Sequence, residues 1–262
     1  MRKLKIERIF ILILIPILIL GIGIFLFKDN DDKEERTVQS NYYDLDKFEY
    51  VDGLMSFKDS NYTTLTGIDV SSFNGDIDWA SVKNDGIDFV MIRCGFRGGE
   101  DGILYDDPMY TVYIEEAKQA GLKVGVYFYS SAITTNELDE EVEYVLDKVK
   151  DYKLDLPIAY DMEYYNDAGR ITSLSRKEKT NMALRFCKKI EAKGYDPMIY
   201  GNLSWLYNDV NFKRVSNYLL WIAAYTSSCP MEDEFKMWQY SNQAAINGID
   251  GVVDINIWID EK

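Results

Sequence analysis

The sequence predicts an α/β protein, an eight-stranded β/α barrel preceded by one N-terminal transmembrane helix. Three observations lead to this prediction. The chain begins with a basic segment followed by a long apolar run. From about residue 66, short apolar runs alternate with stretches of helical character. These runs are apolar throughout rather than strictly alternating, which is typical of parallel strands covered by helices.

The N-terminal segment has the features of a membrane anchor. Residues 9–27 are apolar throughout and just long enough to cross a bilayer. The cationic side chains in residues 1–8 predict a cytoplasmic N-terminus, with everything after residue 27 outside the cell. A cleaved signal peptide is the alternative, but no small-residue cleavage site follows the apolar run. The sequence therefore predicts a single-pass protein of the cell membrane.

Two further segments follow the predicted anchor. Residues 28–62 are highly charged and polar, with a tyrosine-containing patch at 42–50. Such a composition predicts an extracellular linker with little structure of its own. Residues 63–262 are expected to form one folded domain.

Composition removes several classes of function. The chain carries 44 acidic and 29 basic side chains, a formal net charge of −15, so it would be repelled by nucleic acid. It contains no histidine, which removes Ser-His-Asp and Cys-His mechanisms and the zinc sites that rely on imidazole. Three scattered cysteines do not make a disulfide framework. Carboxylates and tyrosines remain as reactive groups, and no cofactor or metal is expected.

The domain contains eight predicted strands, at residues 67–70, 88–93, 123–129, 156–162, 197–200, 219–224, 236–240 and 252–256. Predicted helices join the earlier strands, at 78–83 with Asp78 as N-cap, 108–120, 136–150 and 175–193. Eight strands separated by helices indicate a barrel related to the TIM barrel. Because the helices become short or vanish after residue 200, the outer ring is predicted to be incomplete.

Acidic residues stand at the ends of several predicted strands, where a barrel of this kind has its active site. Asp161 and Glu163 are one residue apart, so the period of a strand places them on one face. Two neighbouring carboxyls push their pKa values apart, and one tends to keep its proton, as general acid catalysis requires. A solvated acidic loop is the simpler interpretation of a lone Asp-x-Glu. The acids that end other strands, Asp69 and Asp254, favour a site.

Four motifs resemble those of the family 25 glycoside hydrolases, the Chalaropsis-type lysozymes. Residues 69–79, DVSSFNGDIDW, resemble the opening motif of that family, and Asp161-Met162-Glu163 resembles its Asp-x-Glu. Residues 238–240 and 253–256 resemble its closing motifs. The resemblance extends from about residue 66 to residue 260. It implies an N-acetylmuramidase that cleaves the β-1,4 bond between N-acetylmuramic acid and N-acetylglucosamine in bacterial peptidoglycan, on a flattened, irregular TIM-like barrel.

The resemblance also implies roles for the four acids. Glu163 falls at the general acid, Asp161 at its partner carboxylate, and Asp69 and Asp254 at the other two acids of the site. Whether Asp161 bonds to the sugar or orients the 2-acetamido group of the substrate for attack stays open. The chain departs from the family at Asn74, where Gln is usual, and at residues 127–128, where an aromatic-His pair is often found.

Aromatic and amide side chains near the strand ends are candidates for sugar binding: Tyr129, Tyr200, Trp221, Tyr225, Trp238, Tyr240 and Asn256. For each aromatic the alternative is a core ring with its polar tip in water. The expected partners are peptidoglycan glycan strands and, through the N-terminal helix, the membrane. The catalytic domain is expected to be a monomer.

Two other functions are compatible with parts of this pattern. A barrel that grips peptidoglycan without cutting it is one, although a pure binder has no reason to keep buried like charges that reduce stability. A metal-dependent polysaccharide deacetylase is the other, because clustered carboxylates can bind Ca²⁺ or Mg²⁺. The absence of histidine removes the usual catalytic metal sites of such deacetylases.

Overall fold

The computed structural model describes residues 43–164, 166, 168–231 and 233–262. The predicted anchor at residues 9–27, and the part of the predicted linker before residue 43, lie outside these ranges. Within them, no helix has both the length and the apolar character needed to cross a membrane.

Eight strands close into a barrel in the order β3-β4-β6-β7-β8-β9-β10-β11, with β11 returning to β3. The strands of the described chain are β1 Phe48–Val51, β2 Leu54–Phe57, β3 Tyr62–Val70, β4 Phe89–Arg97, β5 Leu104–Asp106, β6 Lys123–Tyr129, β7 Ile158–Asp161, β8 Pro197–Asn202, β9 Leu219–Ala223, β10 Met237–Ala244 and β11 Val253–Glu261. The eight predicted barrel strands are therefore confirmed, with different bounds.

One strand runs against the expectation of a fully parallel sheet. The pairs from β3 through β10 are parallel, but β11 is antiparallel to both β10 and β3. The physical reason is the short loop before β11, because a parallel crossover needs a connection of a dozen or more residues. As a result, Asp254 lies at the start of its strand and still faces the mouth of the barrel.

The helices form an incomplete outer ring, as predicted. They are α1 Trp79–Asn84, α2 Tyr110–Gln119, α3 Thr135–Val149, α4 Arg176–Glu191 and α5 Phe212–Val215. Asp78 caps α1 by accepting hydrogen bonds from the backbone N–H groups of Ala80 and Ser81. Between β9 and β11 the described residues contain no helix. The N-terminal residues 43–62 cover this side of the barrel instead.

A hairpin covers that side and corrects the linker prediction. Residues 43–62 contain a short 3₁₀ turn at Leu45–Lys47 and the antiparallel pair β1–β2, rather than a tether without structure. Tyr43 and Phe48 pack their rings edge-on against Phe235 and Trp238, respectively. The linker prediction rested on the many charged residues of this segment. The aromatic side chains between them supply the packing that orders it.

The barrel interior is apolar at one end and polar at the other. Phe89, Met91, Met198, Met237 and Trp258 fill the apolar end. Gly67 lies beside Phe89, where a Cβ atom would come within 2.3 Å of the ring. Because the interior is closed below by these side chains, a ligand can enter only from the polar end, where strands β3 to β10 terminate.

Candidate active site

A cavity of about 200 Å³ opens at the polar end of the barrel. All four predicted acids line it, together with aromatic and amide side chains. The lining residues are Asp69, Tyr127, Asp161, Glu163, Tyr200, Trp221, Tyr225, Gln239 and Asp254. Glu163 and Tyr225 lie just beyond a strand end and the others lie within barrel strands, so the closed barrel is what brings together residues almost two hundred positions apart in the chain.

Two of the acids face each other across a strand pair. Asp69 at the end of β3 and Asp254 at the start of β11 are direct partners in the antiparallel register. Like charges in directly opposite positions destabilise a sheet. Their pairing is therefore a local cost to stability that packing does not explain, and it points to a role in chemistry.

Asp69 is held by a network of amides. Gln239 Nε2 and Asn256 Nδ2 both donate to Asp69 Oδ2, at 2.8 Å and 2.7 Å. Behind them, Trp221 Nε1 donates to Asn256 Oδ1 at 2.8 Å. Tyr200 and Tyr225 donate through their hydroxyls to Gln239 Oε1, at 3.1 Å and 3.0 Å. This network fixes the orientation of the Asp69 carboxyl.

Asp161 and Glu163 lie on the opposite side of the mouth from Asp69 and Asp254 in the strand order. Asp161 is the last residue of β7, in register with Tyr129 on one neighbouring strand and Tyr200 on the other. Its side chain is buried, and its Oδ1 atom has no hydrogen-bond partner. A buried oxygen without a partner is costly. A donor on a bound substrate could satisfy it.

Glu163 follows the strand rather than ending it, because β7 stops at Asp161. It nevertheless lines the same cavity, as the period of two predicts. The hydroxyl of Tyr129 donates to the backbone carbonyl of Glu163 at 3.2 Å. This bond holds the backbone that carries the predicted acid.

Burial is the main cause of the unusual acidities in this cluster. It raises the pKa of Asp161 well above its ordinary value, and the charges of Glu163 and Asp69 raise it further. Burial, and after it the charge of Asp254, raises the pKa of Asp69 to about 8 and also raises that of Glu163. Burial raises the pKa of Asp254 to about 6. The cluster therefore keeps protons near neutral pH, as a general acid must.

The structure places five of the predicted binding residues in or directly behind the cavity. Tyr200, Trp221 and Tyr225 line the cavity. Asn256 and Tyr129 stand behind it, against Asp69 and Glu163.

Trp238 and Tyr240 lie outside the cavity, and their prediction as sugar-binding residues is wrong. Both are buried in the outer layer, where Trp238 packs against Phe48 of the hairpin and Tyr240 against Tyr50. They alternate in β10 with the inward-facing Met237 and Gln239.

Two lining residues, Tyr127 and Gln239, were missed as site residues. Gln239 stands between Trp238 and Tyr240 in β10, so the same period of two that excludes its neighbours could have identified it. Tyr127 lies two residues before Tyr129 in β6, on the same face of the strand. Burial and the charge of Asp69 raise the pKa of Tyr127, so its hydroxyl stays protonated in the mouth.

The arrangement suits proton transfer between carboxyls and a bound ligand. Within the described ranges, no group of three or more acidic or cysteine side chains is placed to hold a metal ion. The cavity instead offers one carboxyl with an unsatisfied oxygen, one on a loop at the mouth, and two facing acids, of which Asp69 is oriented by amides.

Comparison with known proteins identifies related chains. The family profile "Glycosyl hydrolases family 25" matches residues 68–249. An autolytic lysozyme from Clostridium acetobutylicum is 31% identical over 195 residues, which cover 73% of this chain and 55% of that protein. Lysozyme M1 from Streptomyces globisporus is 26% identical, over 73% of this chain and 67% of that protein. This chain thus spans little more than half the length of the Clostridium relative.

Solved structures share the fold. A bacterial lysozyme from Streptomyces coelicolor superposes with a TM-score of 0.62 at 25% identity, covering 76% of this chain and 92% of that one. The modular autolysin LytC from Streptococcus pneumoniae, in complex with a synthetic peptidoglycan ligand, superposes with a TM-score of 0.68 at 24% identity. That match covers 80% of this chain and 52% of LytC.

Proposed function

The chain belongs to family 25 of the glycosyl hydrolases, and from this premise we propose that it is an N-acetylmuramidase acting on peptidoglycan. It would cleave the β-1,4 bond between N-acetylmuramic acid and N-acetylglucosamine by carboxylate acid and base catalysis. The observation that carries the proposal is the set of four carboxyls with raised pKa values around one cavity. Such a set is costly to the fold, and perturbed carboxyls gathered in one cleft are typical of an active site.

We assign the general acid to Glu163. It lies at the mouth of the cavity, where burial and the charge of Asp254 raise its pKa and so favour the protonated form that a general acid needs. It would donate that proton to the glycosidic oxygen as the bond from this oxygen to C1 of N-acetylmuramic acid breaks. The resulting Glu163 carboxylate then accepts a proton from the water that attacks C1, so that the acid is regenerated.

Asp161 would assist in its ionised form, at the face of C1 opposite the leaving oxygen, where donors on the bound sugar offset the burial that raises its pKa. It either attacks C1 and forms a glycosyl ester, or accepts a hydrogen bond from the substrate's acetamido N–H while the acetamido oxygen attacks. The unpartnered Oδ1 of Asp161 is available for both roles. Mass spectrometry of the enzyme trapped with a slow fluorinated substrate separates them, because only the first leaves a covalent sugar on Asp161.

The activity is tested with the full chain purified in detergent and added to purified cell walls. We expect loss of turbidity together with new reducing ends. A barrel that only binds peptidoglycan would pull down with the walls and release no reducing ends, and this result would overturn the proposal.

We further propose that residues 9–27 anchor the enzyme in the cell membrane, with its barrel outside the cell. The support is the apolar run and the basic residues before it. The full chain should remain in membranes washed with alkaline carbonate, and protease added to spheroplasts should remove the barrel. Release by the carbonate wash, or protection of the barrel from external protease, would contradict this orientation.

A further inference from the structure

Phe73 is the most exposed large hydrophobic side chain among the described residues, with 89% of its surface accessible. It lies in the loop after β3, four residues beyond Asp69, at the end of the barrel where the cavity opens. Isolated surface hydrophobics are common in soluble proteins. What distinguishes Phe73 is the rigid support beneath it.

The backbone around Phe73 is fixed by side chains. Ser72–Asn74 form a 3₁₀ turn, in which Ser71 and Asn74 bond reciprocally to each other's backbone N–H groups. The N–H of Ser72 donates to Asp107 Oδ2 at 3.1 Å. These bonds hold the backbone of the loop in one conformation, which reduces the entropy that Phe73 would lose on binding a ligand.

A cation stacks on one face of the Phe73 ring. The guanidinium carbon of Arg93 lies 5.1 Å from the centroid of Phe73 and 5.1 Å from that of Phe96. Arg93 is itself fixed by Asp107, whose Oδ2 accepts from its Nε at 2.8 Å. On the far side, Phe96 stacks on Tyr105 with centroids 5.2 Å apart and planes 23° apart. We call this row of Phe73, Arg93, Phe96 and Tyr105 the aromatic ridge.

The aromatic ridge lies beside the active-site cavity without lining it, because Arg93 is in register with Tyr127, which does line it. Its first member follows the strand of Asp69, and its second, Arg93, is in the neighbouring strand β4. The charge of Arg93 acts on the carboxyl of Asp161 and on the hydroxyl of Tyr127, which both line the cavity. A glycan strand that leaves the cavity on the β3–β4 side would therefore pass over Phe73.

Stability does not account for the exposed ring. Arg93 already has a buried ion-pair partner in Asp107 and a second aromatic face in Phe96. An exposed cation–π contact adds only about 0.5–1 kcal/mol. The ring is exposed over most of its surface apart from the contact with Arg93, so it offers an open face to the apolar face of a sugar ring.

We propose that the aromatic ridge is an additional sugar subsite, in which Phe73 stacks on a glycan residue beyond the two that flank the cleaved bond. This inference rests on the proposed muramidase function. It implies that the enzyme favours long glycan strands over short oligomers, because only long strands reach from the cleaved bond to the ridge.

The test compares glycan oligomers of increasing length, free of stem peptides, as substrates for the full chain in detergent. For Phe73→Ala we expect kcat/KM to fall by about three- to tenfold on the long oligomers, the effect of one lost stacking contact. The value for the shortest cleaved oligomer should be unchanged. Phe73→Trp, which keeps an aromatic ring at this position, should retain the preference for length.

Leu54→Ala serves as the matched control, because Leu54 is also an exposed apolar side chain but belongs to the hairpin. It should not alter the dependence on length. An equal loss for Phe73→Ala on all lengths, or no loss on any, would overturn the subsite. A loss seen only with strands that carry stem peptides would also overturn it, since the ridge would then hold peptide. Failure of the muramidase proposal is distinguishable, because the wild-type enzyme would cleave none of the oligomers.

Discussion

Replacing Glu163 with glutamine removes the proposed acid and changes little else. The side chain lines the cavity, and its backbone carbonyl accepts from Tyr129 whatever the side chain is. Glutamine has nearly the shape of the protonated carboxyl but cannot donate an acidic proton. Positioned acid catalysis contributes about 10²–10⁴ to a rate, so Glu163→Gln should lose about 3–5 kcal/mol of transition-state stabilisation.

The assay measures reducing ends released from purified peptidoglycan. We expect kcat to fall by the full factor while KM stays within about twofold, because the lost interaction belongs to the transition state. Wall binding should survive. Glu234→Gln is the matched control, since Glu234 also has a pKa raised by burial but lies outside the cavity. Its activity should equal that of the wild type.

Stability supplies an independent check on Glu163→Gln. The folded protein raises the pKa of Glu163, so the folded state binds the proton more tightly than the unfolded chain does. The wild type therefore loses stability as pH rises above the unfolded pKa. The variant should match the wild type at acid pH and be at least as stable at neutral pH. Retention of most activity by Glu163→Gln, with loss in Asp69→Asn or Asp254→Asn, would refute the assignment.

Three further predictions concern residues around the acid. Asp254→Asn removes a charge that raises the pKa of Glu163. The basic limb of its pH–rate profile should move to lower pH, and calorimetry should show added stability that appears between about pH 4 and 6, the ordinary and folded pKa values. Asn256→Ala removes one of two donors to Asp69 and the acceptor of Trp221, so kcat should fall and unfolding free energy should drop by about 1–3 kcal/mol in denaturant titration. Trp238→Phe should lower the free energy of unfolding in the same titration without changing KM on cell walls. A raised KM would show that Trp238 contributes to substrate binding after all.

The sequence predicted the positions that local chemistry determines. Asp161 and Glu163 share a face because the side-chain period of a strand is two, and this held even though Glu163 lies past the end of β7. The same rule, applied to β10 from Met237, would have separated the inward Gln239 from the outward Trp238 and Tyr240. That prediction chose Trp238 and Tyr240 because they are aromatic and ignored which face of β10 each side chain occupies, and for this reason it was wrong.

Features set by long-range packing could not be predicted in the same way. The direction of β11 was missed because the predicted bounds left residues 241–251 as its connection, whereas pairing with β11 extends β10 and leaves only residues 245–252. The hairpin before the barrel depends on Tyr43 and Phe48 finding Phe235 and Trp238 almost two hundred residues later. Its charged composition suggested a tether, whereas a few aromatic contacts were enough to order it.

The central claim is the bond that the enzyme cuts. Mass spectrometry of fragments released from purified peptidoglycan, after reduction with borohydride, identifies the sugar at each new reducing end. Cleavage on the C1 side of N-acetylmuramic acid predicts that reduced muramitol ends accumulate and that Glu163→Gln suppresses them. Reduced glucosaminitol ends, anhydro-muramic ends or no fragments at all would contradict the proposal that this barrel is an N-acetylmuramidase.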